Sequence, residues 1–315
     1  MGGSARTGWE ISLGDEAYPR SLLELERPPE ELRGLGDPGA LSGPCLAVVG
    51  ARRATPYGLA VAEMAARVAA RHGITVVSGG AMGCDRAAGL AAVAAGGRSV
   101  IVSGCGADVV YPTSSQDVFE ATLSSGGAVL SLERWGAGPR RWAFPKRNSV
   151  IAALSQVLVV TEAGLRSGTM STAEAAVELG RAVYAIPGSI FSPTSSGTNR
   201  LAAEGARIIP DERSLEIALS LDFDALPMAG PTPDRSGGPV ATALLASPSR
   251  PDELAARLGE DVLTLLRTLT DLEARGIVER LPDGRYSPTR AYLMGQNGVS
   301  QRFGRAEGSQ ACRRS

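Results

Sequence analysis

Between Leu46 and Ile186 the sequence repeats one pattern: a short apolar run, then a segment of helical periodicity. The runs are Leu46–Val49, Ile74–Ser78, Ser99–Ser103, Ala128–Ser131, Val157–Thr161 and Ala182–Ile186. Most are apolar throughout, with none of the in-and-out alternation of a half-exposed strand, so both faces of each must be covered. The segments between them are Ala-rich: Gly58–Arg71, Asp85–Ala95, Ser114–Leu123, Ser171–Leu179 and Thr198–Glu204. Alternating buried strands and helices specify an α/β fold, a Rossmann-like doubly wound parallel sheet. A short strand at Arg207–Ile209 and a helix at Asp211–Leu219 close this domain, which spans 46–221.

The flanks read differently. Residues 1–45 carry scattered apolar side chains among Pro28-Pro29, Gly34, Gly36 and Pro38-Gly39, an ordered lead-in packing on the sheet rather than a separate fold. Residues 222–240 are rich in Pro and Gly and read as a linker. Within 241–289 lie a short helix, a helix at Pro251–Leu258, a turn at Gly259, a longer helix at Asp261–Arg275 and a hairpin tipped by Asp283-Gly284. Together they predict a small C-terminal winged-helix domain. Its longer helix sets Arg267 and Arg275 against Asp271 and Glu273, a poor phosphate-facing surface. Protein contact and DNA contact both stay open for this domain. Residues 290–315, rich in Gly, Gln, Ser and Arg, are expected to be a disordered tail.

Composition excludes more than it selects. The chain has 315 residues, and 32 Lys+Arg nearly cancel 33 Asp+Glu, so any anion site must be local. Cys45, Cys84, Cys105 and Cys312 form no CxxC pair and no metal-ligand spacing, which predicts reduced thiols and neither disulfide nor metal. No window approaches the roughly 18 apolar residues of a membrane span, and the N-terminus has no apolar signal core, so a soluble cytoplasmic protein without membrane contact is expected. His72, the single histidine, sits at the apparent end of a helix, where an imidazole suits the negative dipole end. Histidine-dependent hydrolysis therefore lacks a promising base, and no catalytic residue is assigned.

Four strand-to-helix units carry the binding chemistry. In LAVVGARRATPYG a buried strand meets Gly50, then Arg52 and Arg53, then a helix start, which is the geometry of a phosphate site. In VVSGGAMGCD, Gly79, Gly80 and Gly83 allow close backbone approach, Asp85 reads as an N-cap, and Cys84, beside a carboxylate with no basic partner, reads as inert. In RRWAFPKRNSVIAALS, Arg140, Arg141, Lys146, Arg147 and Asn148 occupy a loop ahead of a helix, interleaved with Trp142 and Phe144. Cations that meet phosphates beside rings on which bases stack suit a single strand, although Phe144 is read as anchoring the loop on the core. In VTEAGLRSGTMSTAEAA, Arg166, Ser167, Gly168 and Thr169 form an anion cradle at a helix entrance, while Ser171 and Glu174 read as a capping box rather than a catalytic pair. Lys146 is the only lysine of the chain.

As a set, Gly50-Ala51-Arg52, SGGAMGCD, Tyr111-Pro112, FPKRN, Glu162 with RSGT, and IPGSIF ending in Asn199-Arg200 resemble the DNA-processing protein A (DprA/Smf) family from about Tyr18 to Leu219. The resemblance implies a non-enzymatic, cofactor-free protein that binds single-stranded DNA in a basic pocket and dimerises. It further implies that the protein displaces single-strand-binding protein and loads RecA in natural transformation or recombination. Carried onto this chain, Arg52, Lys146, Arg147, Asn148 and Arg166 to Thr169 become the phosphate contacts, with Gly79 and Gly80 shaping the pocket. Cys84, Gly89 and Ser149 depart from the aliphatic residue, histidine and arginine usual in the family, and a segment that often precedes the lead-in is expected to be missing.

Two rivals share the sheet. A nucleotide phosphoribohydrolase would need a glutamate three residues after Thr169, where Thr172 stands. A nucleotide sensor would hold a mononucleotide in the same glycine-rich cradle.

Overall fold

The computed structural model describes residues 8–224 and 238–293. The described chain forms two compact units, divided near residue 230. The first opens with β1 (Trp9–Ser12), β2 (Glu31–Gly36), β3 (Cys45–Val49), α1 (Pro56–Arg71), β4 (Thr75–Ser78), α2 (Cys84–Ala94), β5 (Ser99–Ser103) and α3 (Gln116–Ser124). It continues with β6 (Ala128–Ser131), α4 (Ala143–Leu154), β7 (Val157–Val160), α5 (Gly168–Glu178), β8 (Ala182–Ala185), α6 (Ser196–Ala203), β9 (Arg207–Ile208) and α7 (Glu212–Asp222).

The strands form one sheet in the order β1-β2-β6-β5-β4-β3-β7-β8-β9, parallel from β6 to β9. The run CLAVV shows why: Cys45, Ala47 and Val49 enter the core with α4 and α5, while Leu46 and Val48 enter the core with α1, α2 and α7. The central strands β3 to β7 are apolar on both faces because a helical layer covers each face. From β3, the order runs to β4, β5 and β6 on one side and to β7, β8 and β9 on the other, so a switch point lies beyond the carboxyl ends of β3 and β7.

The lead-in packs on the sheet and also extends it. β1 pairs with β2, and β2 pairs antiparallel with β6, while Leu22 and Leu32 are fully buried. Scattered apolar residues concealed these strands, because a strand buried on one face needs apolar residues at alternate positions only.

Several local readings change. Lys146, Arg147 and Asn148 lie within the first turns of α4, not in a loop; Pro145 is tolerated there because an N-H in the first helical turn has no partner within the helix. Ser171 is likewise inside α5, whose N-cap is Ser167, with its hydroxyl accepting from the Thr169 N-H, so the expected capping box does not form. Asp85 is not the cap of α2; that position is Gly83, at φ 78°.

The second unit comprises α8 (Gly238–Ala246), α9 (Pro251–Leu258), α10 (Val262–Ala274), β10 (Val278–Arg280), β11 (Tyr286–Pro288) and α11 (Arg290–Leu293). Gly259 ends α9 at φ 68°, and the Asp261 carboxylate caps α10 at 3.0 and 3.1 Å from the Leu263 and Thr264 N-H groups. Leu254, Leu265, Leu269, Ile277 and Tyr286 form its own core. The helix–helix–hairpin order is the winged helix read from the sequence. The expected tail starts too early, since Arg290–Leu293 is helical and buries Tyr292 and Leu293. The expected linker shrinks at both ends, because α7 runs to Asp222 and α8 begins at Gly238; residues 225–237 and 294–315 of the linker and tail lie outside the described residues. No helix among the described residues is long and apolar enough to cross a membrane.

Candidate nucleic-acid interface

The glycines predicted to admit a ligand sit at strand ends, but much of the room they leave is taken by the protein itself. A Cβ on Gly79 would run into the Arg147 guanidinium and stand 2.7 Å from Asp85 Oδ2. Gly80, at φ 63°, supports the turn that brings the Asp85 carboxylate back to the Gly79 N-H at 3.0 Å. A Cβ on Gly50 would meet Thr161 and approach Cys84 Sγ to 2.6 Å. These glycines therefore let side chains from neighbouring elements close in behind the strand ends.

Arg147 is 5% exposed, and its Nη1 donates to the Val102 carbonyl at 2.6 Å. Burial pushes its guanidinium down to about 10, opposed by the charge of Asp85, so it remains a cation at neutral pH. Burial pushes the Asp85 carboxyl up, opposed by Arg147 and by backbone N-H groups including that of Gly79. Cys84 is fully buried and its thiol is pushed up to about 12 by that burial, as an inert side chain should be.

The Phe144 ring lies between this buried layer and the surface. It fills the space left by Gly104, stands 6.0 Å from Tyr111, and has the Arg147 and Arg52 guanidinium carbons 5.9 and 5.4 Å from its centroid. Phe144 does anchor its segment as expected, and it also carries the exposed Arg52 on its ring. Trp142 is 55% exposed, with the Arg140 guanidinium 6.0 Å from its ring. Lys146 is exposed beside Trp142 and Arg140.

Across the switch point, the loop after β7 is tied to its neighbours. Thr169 Oγ1 donates to the Gly50 carbonyl at 3.0 Å, and Ser167 Oγ donates to Thr169 Oγ1 at 2.9 Å. Asn148 Nδ2 donates to Ser171 Oγ at 2.8 Å and to the Gly168 carbonyl at 3.2 Å. Glu162, 2% exposed, accepts both the N-H and the hydroxyl of Thr55 at 2.8 Å, which fastens this loop to the start of α1. Arg166 and Gly168 are exposed.

The predicted residues thus divide. Arg52, Lys146 and Arg166 present cations to solvent, and Gly168 is exposed at the start of α5. Arg147, Asn148, Ser167 and Thr169 direct polar atoms inward and hold the loops that carry the others. Gly79 and Gly80 shape the turn between them. Sequence reasoning assigned no such role to Asp85; the run of glycines just before it was the available signal. On α10, Val262, Leu263 and Leu266 are exposed, at 41, 69 and 37%, giving this helix an apolar outer face.

Residues 9–219 match the family described as DNA recombination-mediator protein A, and residues 224–284 match the DprA winged helix domain. Protein Smf of Escherichia coli (strain K12) is 33% identical over 283 residues, 87% of this chain and 76% of that protein. The DNA processing protein DprA of Streptococcus pneumoniae is 38% identical over 199 residues, covering 63% of this chain and 70% of the relative. Among solved structures, DprA of Streptococcus pneumoniae superposes with a TM-score of 0.62 at 36% identity, covering 65% of this chain and 72% of that one. DNA processing protein A of Helicobacter pylori, a structure described for its single-stranded DNA binding mode, superposes with a TM-score of 0.61 at 30% identity, covering 69 and 97%.

Proposed function

From the premise that the chain belongs to the DNA recombination-mediator protein A family, we propose that it binds single-stranded DNA along the carboxyl edge of its sheet and delivers that strand to a RecA-class recombinase. The observation that carries this reading is the pairing of exposed cations with aromatic rings at one edge: Arg52 over Phe144, and Arg140 and Lys146 beside the exposed Trp142. Phosphates of a single strand need cations without fixed partners, and its unpaired bases need flat apolar faces. A duplex offers no such bases at its outer surface.

Arg52, Lys146 and Arg166 take phosphates in this reading, with the backbone N-H of Gly168 at the start of α5 as a further anion contact. Arg147 and Asn148 act from behind by holding Gly79 and the 166–169 loop in place. The protein works as a homodimer that displaces single-strand-binding protein in recombination or transformation, with no chemical step of its own.

Fluorescence anisotropy of a labelled poly-dT oligonucleotide across a salt series tests the binding step. Wild type is expected to bind with log K falling by ~0.7 per neutralised phosphate against log salt, and Arg52→Ala/Lys146→Ala to bind more weakly with a shallower slope. Wild type that ignores the oligonucleotide at low salt, yet binds a mononucleotide, would overturn the reading.

A further inference from the structure

The lead-in forms one wall of a groove. β2 runs antiparallel to β6 with Arg33 opposite Ser131, so the start of β2 lies past the carboxyl end of β6, at the edge where the Gly79 and Gly104 turns also lie. There Arg27 and Pro28 of the lead-in, Arg134 after β6, and Arg140, Trp142 and Lys146 ahead of and within α4 line a groove of about 760 Å³. Glu30, Glu31 and Glu133 share it.

Its charges are unevenly spent. Arg33 pairs with Glu10 and Glu31. Arg27, Arg134, Arg140 and Lys146 are exposed and form no ion pair with a described carboxylate, although Glu30 and Glu133 are close. Four such cations against two carboxylates leave an anion-attracting groove in a chain whose formal net charge is -1. Trp142 stands in its wall with more than half of its surface free.

We propose that this groove is a second segment of the single-strand path: a strand crossing the edge at Arg52 and Phe144 turns at Lys146 and Trp142 and lays its next phosphates along Arg140, Arg134 and Arg27. The inference rests on the proposed binding of single-stranded DNA and adds the lead-in to it. Lys146 belongs to both segments, which makes the path continuous. An acidic protein tail would satisfy the arginines but leave the indole without a partner, whereas an unpaired base uses both.

The test uses the full chain and two labelled oligo-dT probes, one of about 6 nucleotides, near the short end of the range of roughly 4–16 that single-strand clefts span, and one of about 18, beyond its long end. Wild type is compared with Arg27→Glu/Arg134→Glu. Both proteins are expected to bind the short probe alike, which also reports an intact fold. Wild type gains affinity and salt dependence on the long probe. The variant loses most of that gain, its slope shallower by about 1.4 for two lost phosphate contacts. A variant that keeps the full gain with length overturns the proposal, as does one that loses the short probe equally. An oligo-Glu peptide that binds wild type but not the variant, with long-probe binding equal in both, overturns it in favour of an acidic protein tail. Wild type binding neither probe overturns the parent reading, and this one with it.

Discussion

Asp85 and Arg147 flank Gly79 from helices on opposite faces of the sheet, near enough for their charges to act on each other. Asp85, on α2, accepts the Gly79 N-H at 3.0 Å; Arg147, on α4, donates to the Val102 carbonyl at 2.6 Å; each opposes the other's burial by its charge. Each helical layer is thus tied to a strand end, α2 after β4 and α4 at β5, with the two opposite charges buried between them under the surface that Arg52 and Phe144 present. Removing one partner of a buried pair leaves the other charge uncompensated, at a cost of roughly 3–5 kcal/mol. Arg147→Ala is therefore expected to lower unfolding free energy by that order in urea denaturation, and Arg147→Lys by less. An Arg147→Ala protein as stable as wild type would show that Asp85 does not depend on that cation.

Lys146, one residue earlier on the same helix, should behave in the opposite way. It is exposed and forms no ion pair with a described carboxylate. Lys146→Ala is expected to stay within about 0.5 kcal/mol of wild type in the same denaturation while losing oligo-dT affinity. Adjacent basic residues thus separate folding from binding, and a Lys146→Ala protein with full affinity would remove Lys146 from the interface.

Gly79→Ala tests whether the strand-end turn tolerates any side chain. Its Cβ would displace Arg147 and stand 2.7 Å from Asp85 Oδ2, both nearly fully buried. Neither side chain has free space to retreat into, so an overpacking cost of about 1–3 kcal/mol is expected, with weaker oligonucleotide binding. A thermal melt that is unchanged would mean that the turn can open.

How far the sequence could be read depends on what each residue has to satisfy. Strands such as Leu46–Val49 were legible because burial on both faces demands an unbroken apolar run. The winged helix was legible because Gly259 and Asp283-Gly284 punctuate it. β1 and β2 were not, since strands buried on one face only need an apolar residue at alternate positions. The basic motif was found, yet its division was hidden: nothing in the order Lys146-Arg147-Asn148 says which side chain turns inward. That follows from the helical start at Ala143, which sends consecutive side chains about 100° apart. It follows also from the absence of a Cβ at Gly79, which only the folded chain brings opposite Arg147.

Two buried thiols give a pH dependence with a definite sign. Cys45 and Cys84 are fully buried, and burial pushes each thiol from an ordinary 9.0 up to about 12. Between those values the unfolded chain has released thiol protons that the folded chain still holds, so stability falls as pH rises. The contribution is fully present below pH 9 and is lost towards pH 12, at up to about 1.4 kcal/mol per pH unit for each thiol. Cys84→Ala removes one of these terms, and its unfolding free energy, followed by denaturant titration from pH 8.5 upward, should decline less steeply than that of wild type. Over the same range below pH 9, neither folded thiol is expected to react with iodoacetamide, whereas both should react in denaturant. Equal alkaline slopes for wild type and Cys84→Ala, or rapid alkylation of the native protein at Cys84, would show that water reaches the space between Gly50 and α2.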